Sequence, residues 1–339
     1  MKAAWLKAPF QFELKNITIG DPGYGEVLVK VKACCLCGHD LILASAAADT
    51  WQQFGHEISG VVEKIGPGVR NVAPGDSVVL ESGTFDRFSD NSRNGRVDLD
   101  NKGPNFWIDG DKPMGFSEAL IVPMETCVKF SGISFEEAST AEPLGVALDL
   151  ATTGEIKLND DVLVIGLGPI GLMAARLAKA MGARNVFGAE LSRAKARIEL
   201  AKKWGVEDVI LTDQSNVADF PFPRGYVDRV LVTAPPKTIP SALEIAGIGG
   251  IVAFLGIEYG DGGKIAFDAN DFHVKKLQLR SSFASPALYF PRCLELIRSG
   301  VIDAKALLTH RFALEDIASA IPAFASDREN GIKAVMTRD

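Results

Sequence analysis

The stretch DVLVIGLGPIG, Asp161 to Gly171, joins an apolar strand to the start of an amphipathic helix through three glycines. Gly166-Leu167-Gly168-Pro169-Ile170-Gly171 sits where a dinucleotide-binding turn requires it, after a strand and before a helix. Gly166 suits the tight turn, Gly168 lets the backbone approach a pyrophosphate, and Gly171 allows close helix–strand packing. The helix N-terminus adds positive potential for the phosphates. A second strand, NVFGAE, ends in Glu190, about twenty residues on, where a carboxylate accepts hydrogen bonds from the adenine ribose hydroxyls. That acid favours NAD, since it repels a 2′-phosphate. Arg193 keeps NADP as the less favoured alternative, and Lys195 is read as either a ribose neighbour or a solvated helix lysine.

Outward from this turn, strand and helix patterns alternate from 147 to 286, through VDRVLVTA, TIPSALEIAG and GGIVAFLGI. The alternation implies an α/β fold with a doubly wound parallel sheet, the Rossmann arrangement. Residues 1–146 differ: short β-branched runs such as GEVLVKVKACC and ISGVVEKIG are broken by Gly and Pro, as in an irregular β-rich domain. The tail, 287–339, is expected to return to that first domain and make it discontinuous. The polar segment 85–113 is long for a loop, and loops of that length are usually functional.

Composition narrows the role. With 47% hydrophobic residues, 23% charged residues and a net charge of −7, the chain reads as soluble and globular, with no nucleic-acid footprint. The N-terminus lacks a signal-peptide pattern and no run is long enough to span a membrane. Five cysteines in 339 residues do not form a secreted disulfide framework, so a reduced, cytoplasmic setting is expected.

Three of those cysteines fall in ACCLCGHD, Ala33 to Asp40. Cys34 and Cys37 form a CxxC, but at a strand end rather than at a helix start, which weakens a redox reading. A structural zinc site needs a second close pair of Cys or His, and the chain has none. A single metal ligand remains open, and two other short motifs bear on it, FGHE at Phe54 to Glu57 and AEPLGV at Ala141 to Val146.

Taken together, CLCGHD, FGHEISGVVEKIGPGV, PGDSVV, EPLGVAL, the glycine run and LIRSGVIDAKALLTHRFALED resemble the zinc-dependent medium-chain alcohol and polyol dehydrogenases, the family of sorbitol and threonine dehydrogenases. The resemblance spans the chain. It implies a GroES-like catalytic domain beside the Rossmann domain, and one catalytic zinc held by Cys37, His56 and Glu142, with Glu57 contacting the metal or its water. It implies no structural zinc, since no cysteine lies between Cys37 and Cys127. His39 stands where relatives carry a proton-relaying hydroxyl, and is expected to accept the alcohol proton. Asp40 is expected to fix the turn. Thr233, Leu255 and Ile257 are expected near the nicotinamide, and Lys333 is read as a surface lysine or a pyrophosphate neighbour.

The implied reaction is hydride transfer between NAD(H) and a small hydroxylated molecule, foremost a polyol, sugar or cyclitol. Alternatives are a small secondary alcohol, with Trp51, Phe54 and Trp107 walling the pocket, and a 3-hydroxy amino acid. In another class stands a non-catalytic NAD-binding sensor or structural protein. A homo-oligomer, dimer or tetramer, is also implied.

Overall fold

A computed structural model describes residues 1–107, 112–258 and 260–338. The chain divides into two compact units: Met1–Gly145, Ala284–Asp327 and Lys333–Asp339 in the first, and Val146–Phe283 with Arg328–Ile332 in the second. The sequence assigns the whole of 287–339 to the first domain, and here the structure differs. Arg328–Ile332 joins the second unit because the Ala196 amide donates to the Glu329 carbonyl at 3.0 Å. Arg197 Nε also donates to the Gly331 carbonyl at 3.1 Å, and Lys195 pairs with Glu329 at 2.7 Å.

The second unit is built on six parallel strands in the order Asp208–Leu211, Asn185–Glu190, Asp161–Ile165, Val227–Val232, Ala246–Phe254, Gln278–Ser281. The strand Asp161–Ile165 is buried throughout, as a strand covered on both faces must be. Its core includes Leu163, Ile165, Phe187, Val230, Val232 and Val252. The two outermost strands escape a reading by hydrophobic runs, because each has four residues and Gln278–Ser281 is largely polar.

The first unit centres on the ten-residue strand Glu26–Cys35. It pairs antiparallel with Glu57–Ile65 and with Lys333–Thr337. Leu308–Phe312, Ser77–Leu80, Cys127–Lys129 and Ala119–Pro123 complete a seven-stranded sheet over a core containing Leu6, Val29, Phe54, Ile58, Leu80 and Phe116. The polar segment is not structureless. It contains the helix Asp90–Arg93 and a 3-10 turn at Val97–Leu99. Buried Asp100 accepts hydrogen bonds from the Asp86 and Lys102 amides at 3.1 and 3.0 Å. Its acids thus serve the loop itself, and residues 108–111 of that segment lie outside the described residues. Among the described residues no helix is long and apolar enough to cross a membrane.

One buried charge anchors the second sheet. Asp161 accepts hydrogen bonds from Arg184 at 2.6 and 3.0 Å, from Arg224 at 2.8 Å and from Asn185 at 2.8 Å. Burial alone would raise its pKa, but those donors hold it below the ordinary 3.8. Both arginines are about one-third exposed, so Asp161→Ala should cost about 2 kcal/mol, less than a fully buried pair. The folded carboxyl titrates below its unfolded value, so this stabilisation is complete above that value and fades as pH falls through the folded pKa. The calorimetric gap between wild type and Asp161→Ala therefore narrows below about pH 4.

Candidate active site

Cys37 caps the short helix Gly38–Ile42. The His39 amide donates to Cys37 Sγ at 3.4 Å, and the Cys37 amide donates to Asp40 Oδ2 at 3.0 Å, closing a reciprocal cap. The other oxygen of Asp40 accepts from the Gly55 amide at 3.3 Å and lies 3.9 Å from His56 Nδ1. One carboxylate therefore ties the cysteine turn to the histidine segment. Gly55 has φ of +88°, and a Cβ there would meet the Phe116 ring at 2.5 Å, so glycine is required just before His56.

These constraints bring donor atoms of Cys37, His56 and Glu57 within 4.8 Å of one another. Sequence reasoning expects Glu142 as third member of that group, yet the close triplet contains Glu57. The reason is register. Glu57 opens a strand directly opposite Cys35, two residues before Cys37, whereas Glu142 approaches from the first turn of the helix Ala141–Thr153. Glu142 still faces the cluster, and its carboxyl interacts with His56, Glu57, Lys333 and Asp40. Burial pushes it up to about 7, against the pull of His56 and with the repulsion of Glu57. Burial opposes charge on His56, but Cys37, Glu142 and Asp40 carry its pKa well above the usual imidazole value.

Lys333 departs from both of its expected roles. It is 4% exposed, its Nζ donates to Glu57 Oε1 at 2.6 Å, and it lies 2.5 Å from Oε2. Its sequence signal is faint: one lysine opening the apolar strand KAVMT. Trp107 stands against His56, ring centres 4.6 Å apart, and meets His39 edge-on at 6.3 Å. Phe54 packs into the core against Phe116, and Trp51 is exposed with Lys15 over its ring, so of the three candidate wall aromatics only Trp107 adjoins the metal-type donors. Cys34 and Cys35 are buried in the central strand, and burial pushes the Cys35 thiol up to about 12.

A divalent ion fits this donor set. Thiolate, imidazole and carboxylate are suitable zinc ligands. His56 Nδ1 has no hydrogen-bond partner but stands 3.9 Å from Asp40, and Glu57 Oε2 has only the Lys333 ammonium beside it, so the fit rests on the chemistry and closeness of the three donors.

In the second unit, Gly166 has φ of +93°, and a Cβ on Gly171 would lie 1.8 Å from the Gly166 carbonyl oxygen. A Cβ on Gly168 would meet nothing within 4 Å, which leaves open space beside the N-terminus of the helix Pro169–Ala180. Pro169 occupies the first turn, where its missing amide is no loss. Glu190 accepts from the Leu167 amide at 3.0 Å and the Leu191 amide at 2.8 Å, so it braces the turn. Thr233 braces it too, its hydroxyl donating to the Gly166 carbonyl at 2.8 Å. Leu255 follows the end of a parallel strand and Ile257 is exposed. Arg193 is exposed, whereas Lys195 is engaged with Glu329.

Residues 23–132 match the family model of the alcohol dehydrogenase GroES-like domain, and residues 169–299 match that of the zinc-binding dehydrogenases. The chain belongs to the zinc-dependent medium-chain alcohol and polyol dehydrogenase family. It is 29% identical to the D-xylulose reductase of Saccharomyces cerevisiae, over 99% of this chain and 97% of that protein. An alcohol dehydrogenase from Escherichia coli CFT073 complexed with NADH aligns at a TM-score of 0.90 and 25% identity, covering 100% of this chain and 99% of that one. A zinc-binding dehydrogenase from Sinorhizobium meliloti 1021 bound to NADP aligns at 0.84 and 26%, covering 99% of each.

As a member of this family the dehydrogenase is an oxidoreductase of alcohols that uses zinc and a nicotinamide cofactor. Its cysteine turn depends on Asp40. Asp40→Ala removes the acceptor of two amides in a buried setting and should cost about 2 kcal/mol. Chemical denaturation checks this: an unchanged midpoint would show that the two segments hold their positions without the carboxylate.

Proposed function

We propose that this dehydrogenase oxidises a polyol, sugar or cyclitol secondary alcohol with NAD, and reduces the matching ketone with NADH. The observation that carries the reading is the close triplet of Cys37, His56 and Glu57. Those three residues would hold one zinc ion and leave a further position for the substrate oxygen. Bound there, zinc supplies Lewis acidity toward that oxygen, while NAD supplies the hydride acceptor. No second zinc is proposed, since the polar segment carries no cysteine and is braced by Asp100.

The chain's own groups do the rest. Asp40 orients His56, as a carboxylate behind a ligating imidazole does. Glu142, whose carboxyl interacts with His56 and Glu57, would add a further carboxylate beside the ion. His39, half-buried beside Trp107, accepts the alcohol proton and passes it towards solvent. Burial lowers its pKa, with Asp40 opposing and His56 adding to the shift, which favours the neutral, proton-accepting imidazole. On the nucleotide side, Gly166, Gly168 and Gly171 with Pro169 and Ile170 admit the pyrophosphate, and Glu190 accepts from the ribose hydroxyls. Leu255 and Ile257 line the nicotinamide end. NADP is the weaker alternative, through Arg193 and Arg197 near Glu190. The polyol reading draws support from the D-xylulose reductase likeness. A homo-oligomer is supported by the edge strand Gln278–Ser281 and exposed Ile248, Val274 and Phe283 in the same unit. The free cysteines are consistent with the cytoplasm.

Metal analysis of the purified chain should find one zinc, and Cys37→Ser or His56→Ala should lose it. A panel of polyols, sugars, cyclitols and 3-hydroxy amino acids, each with NAD and NADP, should show chelator-sensitive turnover that favours polyols and NAD. Bound nucleotide without turnover on any panel member would defeat the reading.

His39→Ala should lower kcat for alcohol oxidation about a hundredfold and flatten its pH profile. Unchanged kinetics would remove the relay.

A further inference from the structure

The Glu57–Lys333 pair is unusual in its cost. Both side chains are almost wholly buried, 1% and 5% exposed, and burying two charges is repaid only when each is well matched. Around them, Cys37, Asp40 and Glu142 add three more groups that are negative when ionised, all close enough to interact with members of the same cluster. Lys333 is held there by register. Its strand pairs with the central strand on one side, while Glu57 opens the strand paired on the other side. The ammonium therefore faces donors that suit a divalent cation, and it occupies Glu57, one of the three closest.

We infer that Lys333 is a resident counter-cation of the metal cluster: it keeps the acidic pocket folded when empty and competes with the bound metal for Glu57. The inference rests on the zinc-site reading above. Its sign follows from electrostatics. Without metal, the ammonium is the cation in contact with Glu57, so its removal strands a buried carboxylate. With metal, the ion neutralises that carboxylate and the ammonium is a nearby like charge. A change that harms the empty protein more than the loaded one must tighten metal binding, by linkage.

The test compares full-length wild type and Lys333→Met, each stripped by chelator dialysis and then titrated with zinc alone against a competing chelator. Thermal melts are recorded for the empty and the loaded forms. The expected result is a melting temperature that falls sharply for the empty variant and little for the loaded one, with zinc affinity increased about tenfold or more. A variant that folds only with zinc present is the extreme form of the same result. If Lys333→Met folds under neither condition, Lys333→Gln, which keeps a polar partner for Glu57 and removes the charge, is measured by the same criteria. Equal losses in both forms with unchanged zinc affinity would reduce Lys333 to a structural residue and overturn the inference. Weakened affinity would overturn it as well, by showing that Lys333 orients Glu57 for the metal. Failure of wild type itself to bind zinc would instead strike at the metal site.

Discussion

The first unit depends on the pairing of one strand with two others. Glu26–Cys35 forms antiparallel ladders with Glu57–Ile65 and Lys333–Thr337, so that Cys35 lies opposite Glu57 on one side and Val335 on the other. A slip of one residue in either ladder would turn the side chains to the opposite face. Cys37, Glu57 and Lys333 would then no longer share one buried space. The apolar residues Val27, Val29, Val31, Ile58 and Val62 enforce the register because they must all reach the same core.

Within that frame, Asp40 converts a sheet into a site. Its two oxygens serve two amides from separate segments and leave its charge beside His56. The same atoms that cap a five-residue helix therefore set the distance between sulfur and imidazole. A buried carboxylate with this many partners is stable only because the amides and the histidine compensate it. Structure and chemistry are not separable at this residue.

The nucleotide unit is governed by close backbone approach instead. Gly171 is excluded from bearing a side chain by the Gly166 carbonyl, and Glu190 and Thr233 clamp the turn by hydrogen bonds to or from its backbone. Gly168 is the exception that matters, since the space a Cβ would take is empty. Two glycines serve the packing of the turn, and the third leaves room for a ligand. Glu190 accepts two amide bonds and, as a carboxylate, retains further lone pairs.

The features legible in the residues alone are local: the glycine turn with its strand and helix, the acid at the end of the next strand, and the Cys37 and His56 motifs. Strand–helix alternation also carried the sheet of the second unit, except for its two outer strands, which at four residues each are too short for a period to show. These features follow from backbone geometry and side-chain period over a few residues. Long-range packing settled that Glu57 rather than Glu142 joins the close triplet, that Trp107 stands against His56, and that Lys333 is buried. Glu57 and Lys333 are 276 positions apart, and nothing near Lys333 in the chain marks it as paired. Burial of a charge depends on which strands meet and in what register, and that is settled by the packing of the whole core.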